Sequence, residues 1–327
     1  MKLAIVHESL HGQPISFQEL KKRKGRVQNI IVEHPRYKKV LDKIREHHLL
    51  SSDTLRAEGL FLTGETGVGK STLLKRYTGM YPRRIVDGYT IIPILYTRVP
   101  VGATPKSVAS KILLDLGDPA YDKGTENNQT SRILQFVQKC KLELIIIDEF
   151  QHLIDRDTQH VLNRASDWVK SFADDVGIPV LLCGMPESQK IFKHNAQLDR
   201  RFCMREELTA FKYGTKEEQI EFRGFLKSID KELPFPNQSY LADIGIAERL
   251  YYASNGIQFY LMKVIEEATV NALKLGQDQL TQYDLSIAFQ SVKISQRPYM
   301  RNPFSEDKFN LLNEMDMELR RMKRRSL

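Results

Sequence analysis

The chain has 327 residues, of which 41% are hydrophobic and 28% are charged. This length suggests about two domains, and the composition excludes a disordered chain. No uncharged apolar run approaches the roughly 18 residues of a membrane span, and the apolar N-terminal stretch ends at His7 and Glu8, so we expect no membrane partner and no secretory signal. Cys140, Cys183 and Cys203 are odd in number and lack metal-ligand spacing, which argues against a disulfide scaffold or a zinc site. We therefore expect a cytoplasmic protein.

The net charge of +8 is concentrated at the two ends of the chain. Residues 1–50 carry 11 basic and 5 acidic residues, and residues 296–327 carry 8 and 5. The 245 residues between them carry a net charge of −1. Basic ends on a near-neutral body favour contact with a polyanion, above all nucleic acid, although basic tails that only keep a protein soluble have the same composition.

The first half of the chain predicts an α/β domain preceded by a basic arm. Residues 1–30, with the basic run Lys21–Lys24, are predicted to be extended or partly ordered, and an amphipathic helix follows from Pro35. Apolar, non-alternating strands then alternate with helices, which is typical of a parallel sheet covered on both faces. The predicted strands are 59–63, 89–96, 142–147 and 179–183, and the predicted helices are 71–80, 105–116, 129–140 and 159–176.

After Phe211 the strand pattern stops and helices are predicted over 216–231, 240–254, 258–274 and 281–292. The sequence thus predicts four segments. They are a basic N-terminal arm with the first helix (1–45), an α/β core (46–210), a small all-helical domain (211–295) and a basic C-terminal tail (296–327) with a helix over 306–323.

The strongest motif is GETGVGKS over residues 64–71, between a predicted strand and a predicted helix. It fits the phosphate-binding P-loop pattern of nucleoside triphosphatases. Glycines let backbone N–H groups approach phosphate oxygens, Lys70 adds a positive charge, and the Ser71 hydroxyl can ligate Mg²⁺. The predicted nucleotide-binding residues are Gly64, Glu65, Thr66, Gly67, Val68, Gly69, Lys70, Ser71, Thr72 and Asp148.

A second motif, an apolar strand ending in Asp148-Glu149, supplies the acidic partner of a P-loop. Asp148 is expected to hold the magnesium ion with Ser71, and Glu149 to act as general base on the attacking water. A glutamate directly after the aspartate favours a hydrolase over a transferase. The next strand runs into Met185, where related hydrolases often place a polar residue, and a methionine cannot orient water by hydrogen bonding. Either a neighbour substitutes for it or hydrolysis is slow.

Three further basic sites carry two interpretations each. Arg200 and Arg201 could reach the γ-phosphate of a neighbouring subunit, or they could form surface ion pairs. Lys106 and the turn from Lys123 to Thr125 lie beside small residues that suit backbone approach to phosphates, but they equally suit ordinary turns.

The runs GETGVGKS, LIIIDEFQHL, IPVLLCGMPES and QLDRRF together resemble the transposition AAA+ ATPases called TnsC or TniB. The resemblance covers about residues 35–292. It implies an α/β fold, with an AAA+ P-loop core containing a parallel sheet and a small all-helical lid domain after it. The narrower part of the signal is Asp148–Leu153 together with GMPES and the Arg-Arg-Phe that follows.

The resemblance implies a bacterial ATPase that uses ATP and Mg²⁺ and regulates multi-protein transposons, including CRISPR-associated ones. Such proteins assemble on duplex DNA as rings or helical filaments, with about six to seven subunits per turn. They link a target-selection protein of the TniQ type to transposase subunits of the TnsA/TnsB type, and hydrolysis drives disassembly. By position, Arg201 is the implied arginine finger with Arg200 as the alternative, and Lys106, Lys123 and Thr125 are the implied DNA contacts.

Two departures and two alternatives qualify this interpretation. Met185 replaces the usual polar residue, and the lid helix that begins near Gln258 lacks the arginine often found there, so we expect assembly to be clearer than fast turnover. One alternative is an AAA+ nucleotide-gated scaffold in which hydrolysis is incidental. The other is a helicase loader or an initiator-like ATPase.

Overall fold

The computed structural model describes residues 7–51, 58–154 and 158–325. The chain divides into two compact units. The sheet unit spans residues 36–209, and the helical unit combines the residues up to Pro35 with those from Ala210 onward. The long helix after Pro35 thus lies almost wholly in the sheet unit, about ten residues ahead of the boundary predicted at residue 46.

The sheet unit is built on five parallel strands in the order β4-β5-β6-β1-β7, with a separate two-stranded hairpin, β2-β3. The strands are β1 (Gly59–Thr63), β2 (Arg84–Val86), β3 (Tyr89–Ile91), β4 (Ile94–Arg98), β5 (Leu144–Asp148), β6 (Val180–Gly184) and β7 (Met204–Glu207). β1, β5 and β6 are buried throughout, as expected for apolar strands covered on both faces.

The helices of the chain, in order, are α1 (Phe17–Gln28), α2 (Pro35–Leu50), α3 (Lys70–Gly79), α4 (Pro105–Leu116), α5 (Glu126–Lys139), α6 (Gln159–Val176), α7 (Lys190–His194), α8 (Ala196–Arg201), α9 (Lys216–Glu232), α10 (Ile244–Ser254), α11 (Gln258–Lys274), α12 (Gln282–Ser291) and α13 (Leu311–Arg325). Short 3-10 helices follow β5 (Phe150–Leu153) and β6 (Pro186–Gln189). Among the described residues, no helix is long and apolar enough to cross a membrane.

Two parts of the sheet unit differ from the sequence prediction. The strand predicted over 89–96 is divided at Pro93, which has no N–H to donate: β3 before it pairs in the hairpin, and β4 after it joins the central sheet. Strand β7 was missed. Its four residues, MREE, alternate between half-buried and exposed at the edge of the sheet, so it lacks the apolar run that marks the central strands.

Part of the predicted N-terminal arm, residues 17–28, forms the helix α1. α1 packs along α11, and Val27 is fully buried in the core of the helical unit. Arg23 is also buried, where it donates to the Pro234 carbonyl at 3.0 Å and pairs with Glu19 at 2.9 Å. The run Leu-Lys-Lys-Arg-Lys has too few apolar residues to predict this packing. The buried contact is made by the long cationic side chain of Arg23.

The C-terminal segment also folds onto the helical unit instead of forming a tail. Arg297 pairs with Glu318 of α13 at 2.6 Å, and both side chains are largely buried. Arg249 of α10 donates to the carbonyls of Pro303, Glu306 and Asp307. α1 and α13 therefore both belong to the helical unit.

The connection from α10 to α11 makes a close contact that generates a stability prediction. Gly256 has φ = 71°, its carbonyl accepts a hydrogen bond from the Phe211 N–H at 2.9 Å, and a Cβ there would overlap the Phe211 carbonyl oxygen. Gly177 has φ = 64° but no atom within 4 Å of such a Cβ. We expect Gly256→Ala to lower the free energy of unfolding by about 3 kcal/mol or more, and the control Gly177→Ala by about 1 kcal/mol. Urea denaturation measures both, and equal losses would contradict the packing described for Gly256.

Candidate nucleotide-binding and hydrolysis site

The P-loop and the predicted acidic pair lie at one edge of the parallel sheet. The P-loop follows β1, Asp148 ends β5, Met185 follows β6, and Arg98 ends β4. The carboxyl ends of parallel strands lie on the same edge, which is where open α/β sheets bind ligands.

The P-loop has the backbone that its glycines allow. Gly67 and Gly69 have φ values of 86° and 97°, in a backbone region that residues with a Cβ rarely adopt. Helix α3 begins immediately afterwards at Lys70. Nζ of Lys70 donates to the carbonyls of Gly64 (2.6 Å) and Glu65 (2.9 Å). The ammonium group thus lies within the loop, beside the N-terminus of a ten-residue helix, where partial positive charge favours an anion.

Asp148 is 1% exposed, and its carboxylate accepts two hydrogen bonds. Tyr96 donates its hydroxyl to Oδ2 at 2.7 Å, and the Glu149 N–H donates to Oδ1 at 2.8 Å. Burial, and then the hydrogen bond to Asp148, raise the pKa of Tyr96, so the phenol remains a donor. A carboxylate here and a hydroxyl at Ser71 are the hard oxygen donors that suit Mg²⁺ completed by phosphate oxygens.

Cys183 lies beside Asp148 as a packed core residue. It is fully buried, and burial, followed by the neighbouring Asp148 charge, raises the pKa of its thiol. A protonated buried thiol is a poor nucleophile.

Glu149 adopts a left-handed backbone conformation, with φ = 58° and ψ = 38°. Such a conformation costs roughly 1–2 kcal/mol for a residue with a side chain and is often found at functional sites. Both carboxylate oxygens are engaged: Oε1 accepts from Arg98 Nη2 at 2.9 Å, and Oε2 accepts from the Gln151 side-chain amide at 2.5 Å. The side chain of Glu149 is 25% exposed.

Met185 contributes its backbone to the site. Its N–H donates to Oε1 of Gln151 at 3.2 Å, and its carbonyl accepts from the N–H and the hydroxyl of the buried Ser188. Its sulfur lies 3.8 Å from Oγ1 of Thr66 in the P-loop. The polar contact at the end of β6 is therefore made by Gln151.

The two arginines of α8 differ in their surroundings. The Arg201 side chain is 12% exposed, pairs with Asp174 at 2.6 Å, and also donates to the Ala173 carbonyl. Arg200 is exposed, and its Nε donates to the Ala196 carbonyl at 3.3 Å. Both arginines lie on α8, directly before β7, whereas the P-loop follows β1.

The predicted DNA contacts lie at the starts of two helices. Lys106 is exposed in the first turn of α4, whose N-cap is Thr104. Lys123 is 76% exposed and lies 3.5 Å from Asp122. Thr125 is the N-cap of α5, where its hydroxyl oxygen accepts from the Asn128 N–H at 3.3 Å, so this side chain has a structural partner.

Three residues of the site were not assigned a role from the sequence: Tyr96, Arg98 and Gln151. Tyr96 and Arg98 lie near the carboxyl end of β4, and that position was obscured because the strand was placed at 89–96. Gln151 follows Glu149 by two residues, and only the geometry of the 3-10 turn shows that its side chain reaches Glu149. The signal available in the sequence was a polar residue, Gln151, shortly after the end of β5, together with the lack of a polar side chain at Met185.

Solved structures similar to this chain share its fold. The ORC2 protein of Aeropyrum pernix in ADPNP–ADP complexes has a TM-score of 0.56 and 16% identity, over 82% of this chain and 70% of that one. The ORC1 protein of the same organism in complex with DNA has a TM-score of 0.56 and 13% identity, over 82% and 69%. Cdc6p of Pyrobaculum aerophilum has a TM-score of 0.61 and 12% identity, over 84% and 72%. At these identities they confirm the predicted AAA+ fold with its parallel five-stranded sheet and helical C-terminal region.

A search of curated proteins gave no match. The sequence model of the family described as "Bacterial TniB protein" matches residues 26–213, more than half of the chain. That match contains the P-loop, Asp148-Glu149, the end of β6 and both α8 arginines. This chain therefore belongs to the TniB family of bacterial transposition AAA+ ATPases.

Proposed function

We propose that this protein is an ATP-dependent, DNA-binding transposition regulator that oligomerises on duplex DNA and links a TniQ-type target-selection protein to TnsA/TnsB-type transposase subunits. ATP hydrolysis drives its disassembly. The observation that carries the proposal is the edge of the sheet where Lys70, Asp148 and Glu149 converge in a member of the TniB family. The similar fold of nucleotide-bound and DNA-bound ORC proteins supports it.

In the proposed mechanism the P-loop N–H groups and Lys70 hold the phosphates of ATP. Ser71 and Asp148 hold Mg²⁺, which neutralises phosphate charge when bound. A phosphate oxygen gives Lys70 a charged acceptor in place of the Gly64 and Glu65 carbonyls, which strengthens its hydrogen bonds.

Hydrolysis then needs a base, and we propose Glu149 for that role. It must turn one oxygen toward the attacking water, and Oε1 is the oxygen that is easier to release. Its partner Arg98 is 63% exposed, and an ion pair so exposed stabilises by about 0–1 kcal/mol. The free energy needed to release Arg98 from Glu149 is therefore small compared with the activation barrier of hydrolysis.

Duplex DNA is the proposed template for assembly. The exposed Lys106 and Lys123, with the N–H groups at the start of α4 and at the start of α5, which Thr125 caps, offer charge and donors for phosphate oxygens. These are backbone contacts, so we propose that binding is largely independent of DNA sequence.

Of the two α8 arginines, we propose Arg200 as the one that reaches the nucleotide of a neighbouring subunit. Arg201 is only 12% exposed and would first have to leave both Asp174 and the Ala173 carbonyl, whereas Arg200 is exposed. This reverses the order that the family resemblance implied.

One observation favours a second candidate function, a nucleotide-gated scaffold with incidental hydrolysis. Met185 has no polar side chain, and both oxygens of Glu149 have partners. Phosphate release that stays at background while DNA-bound assemblies persist would select the scaffold.

The central test is negative-stain microscopy of the protein with duplex DNA, with and without a non-hydrolysable ATP analogue. Wild type is expected to form rings or filaments only when both ligands are present. The Lys70→Ala variant is expected to form none, because it lacks the phosphate-binding cation, and Lys38→Ala, an exposed lysine of α2, serves as the matched control. Wild-type particles that remain monomeric with both ligands would overturn the proposal.

The Glu149→Gln variant tests the base. Hydrolysis is expected to fall about a hundredfold or more, because the amide cannot accept a proton, while ATP and DNA binding persist. Assemblies on DNA should therefore disassemble more slowly after ATP addition, which light scattering follows. Glu187→Gln, an exposed glutamate after β6, is the matched control. Disassembly at the wild-type rate would count against Glu149 as the base.

The arginines are distinguished by paired substitutions. Arg200→Ala is expected to leave stability within about 0.5 kcal/mol and to abolish DNA-stimulated hydrolysis. Arg201→Ala is expected to lower the free energy of unfolding by about 1–3 kcal/mol, because it removes a largely buried side chain together with its bonds to Asp174 and the Ala173 carbonyl. Mixing Arg200→Ala with Lys70→Ala subunits should restore part of the hydrolysis, since each supplies what the other lacks. Full activity of Arg200→Ala alone would refute its assignment.

A further inference from the structure

The end of β6 lacks the polar side chain that commonly orients water in phosphate-hydrolysing proteins, yet a polar group occupies the space beside it. Gln151, in the first 3-10 turn after Glu149, extends its amide to the end of β6. Oε1 accepts from the Met185 N–H at 3.2 Å, and Nε2 donates to Oε2 of Glu149 at 2.5 Å. One amide thus joins the predicted base to the neighbouring strand.

The two ends of this contact fix the orientation of the amide. A backbone N–H can only donate, and a carboxylate can only accept, so the carbonyl of Gln151 must face Met185 and its NH₂ must face Glu149. The alternative orientation would leave both contacts repulsive. The amide therefore holds Glu149 in one direction relative to β6.

The surrounding residues are arranged to admit this side chain. Gly184 ends β6, and a Cβ there would lie 3.1 Å from Oε1 of Gln151 and 2.7 Å from Oγ of Ser188. Ser188 is fully buried and bonds the Met185 carbonyl through its N–H and hydroxyl, which fixes the peptide whose N–H meets Gln151. Gly184 and Ser188 together define where the amide of Gln151 lies.

Gln151 is also the more persistent of the two partners of Glu149. The ion pair with Arg98 is exposed on the arginine side and is weakened by solvent and salt. Gln151 is half-buried and is held at its other end by backbone. The contact at Oε2 therefore remains when Oε1 exchanges Arg98 for water.

We propose that Gln151 is the positioning residue of the hydrolytic site: it bridges Glu149 and the end of β6 and performs the orienting task that Met185 cannot perform. This inference rests on the proposed hydrolysis of ATP at this site. Gln151 acts through Glu149, which alone takes the proton from water. The Thr66 hydroxyl beside the Met185 sulfur links the same strand end to the P-loop.

The test compares Gln151→Met, which keeps length and loses both hydrogen bonds, with Gln151→Glu, which keeps shape but places a second carboxylate beside Glu149. Both are expected to lower kcat about tenfold to a hundredfold, with Gln151→Glu lower, while KM and the Kd for a fluorescent ATP analogue stay within about twofold of wild type. Gln135→Met, an exposed glutamine of α5, is the matched control.

Rescue separates positioning from a merely structural role. Met185→Asn added to Gln151→Met places an amide at the strand end, and kcat is expected to recover at least about threefold. Unchanged kcat in both single variants, or lost nucleotide affinity in both with no rescue, would overturn the inference. Wild type that releases no phosphate with DNA present would overturn the proposed hydrolysis together with it, whereas active wild type with equally active Gln151 variants would overturn this inference alone.

Discussion

Parallel pairing of the strands is the constraint on which the site depends. Because all five strands run in one direction, the segments that follow them emerge on the same edge of the sheet. Residues more than 80 positions apart in sequence, such as Lys70 and Met185, thereby come to the same region. The full burial of β1, β5 and β6 fixes this edge, because a shift of any of these strands would expose apolar side chains.

The chemistry of the site is decided by what holds Glu149. Its left-handed backbone turns the residue out of the line of β5, and its two oxygens have partners of different strength. Arg98 is exposed and readily exchanged, and Gln151 is anchored to backbone. In the proposed mechanism, a base with one firm and one loose partner can release one oxygen without losing its orientation, so an apolar residue at 185 is compatible with the proposed hydrolysis.

The two basic ends of the chain show that a charged composition does not by itself predict an unfolded segment. A run such as Lys21–Lys24 contains no apolar pattern, yet α1 packs on α11, Val27 is buried in the helical core, and Arg23 is buried with a bond to the Pro234 carbonyl. At the other end, the largely buried pair of Arg297 and Glu318 attaches α13. The basic residues of α1 and α13 therefore belong to packed helices, so a polyanion that binds them contacts folded structure.

The sequence by itself determined the P-loop, the acidic pair at the end of β5, the alternation of strands and helices, and the helical region after Phe211. These follow from local pattern, because apolar runs, glycine spacing and helical periodicity are visible within a few residues. Only the tertiary structure decided the order of the strands, the edge strand β7, the docking of both basic ends and the partners of Glu149 and Arg201. Those depend on contacts between segments distant in sequence, and a polar side chain such as Gln151 acquires its role only when the fold sets a donor on one side of it and an acceptor on the other.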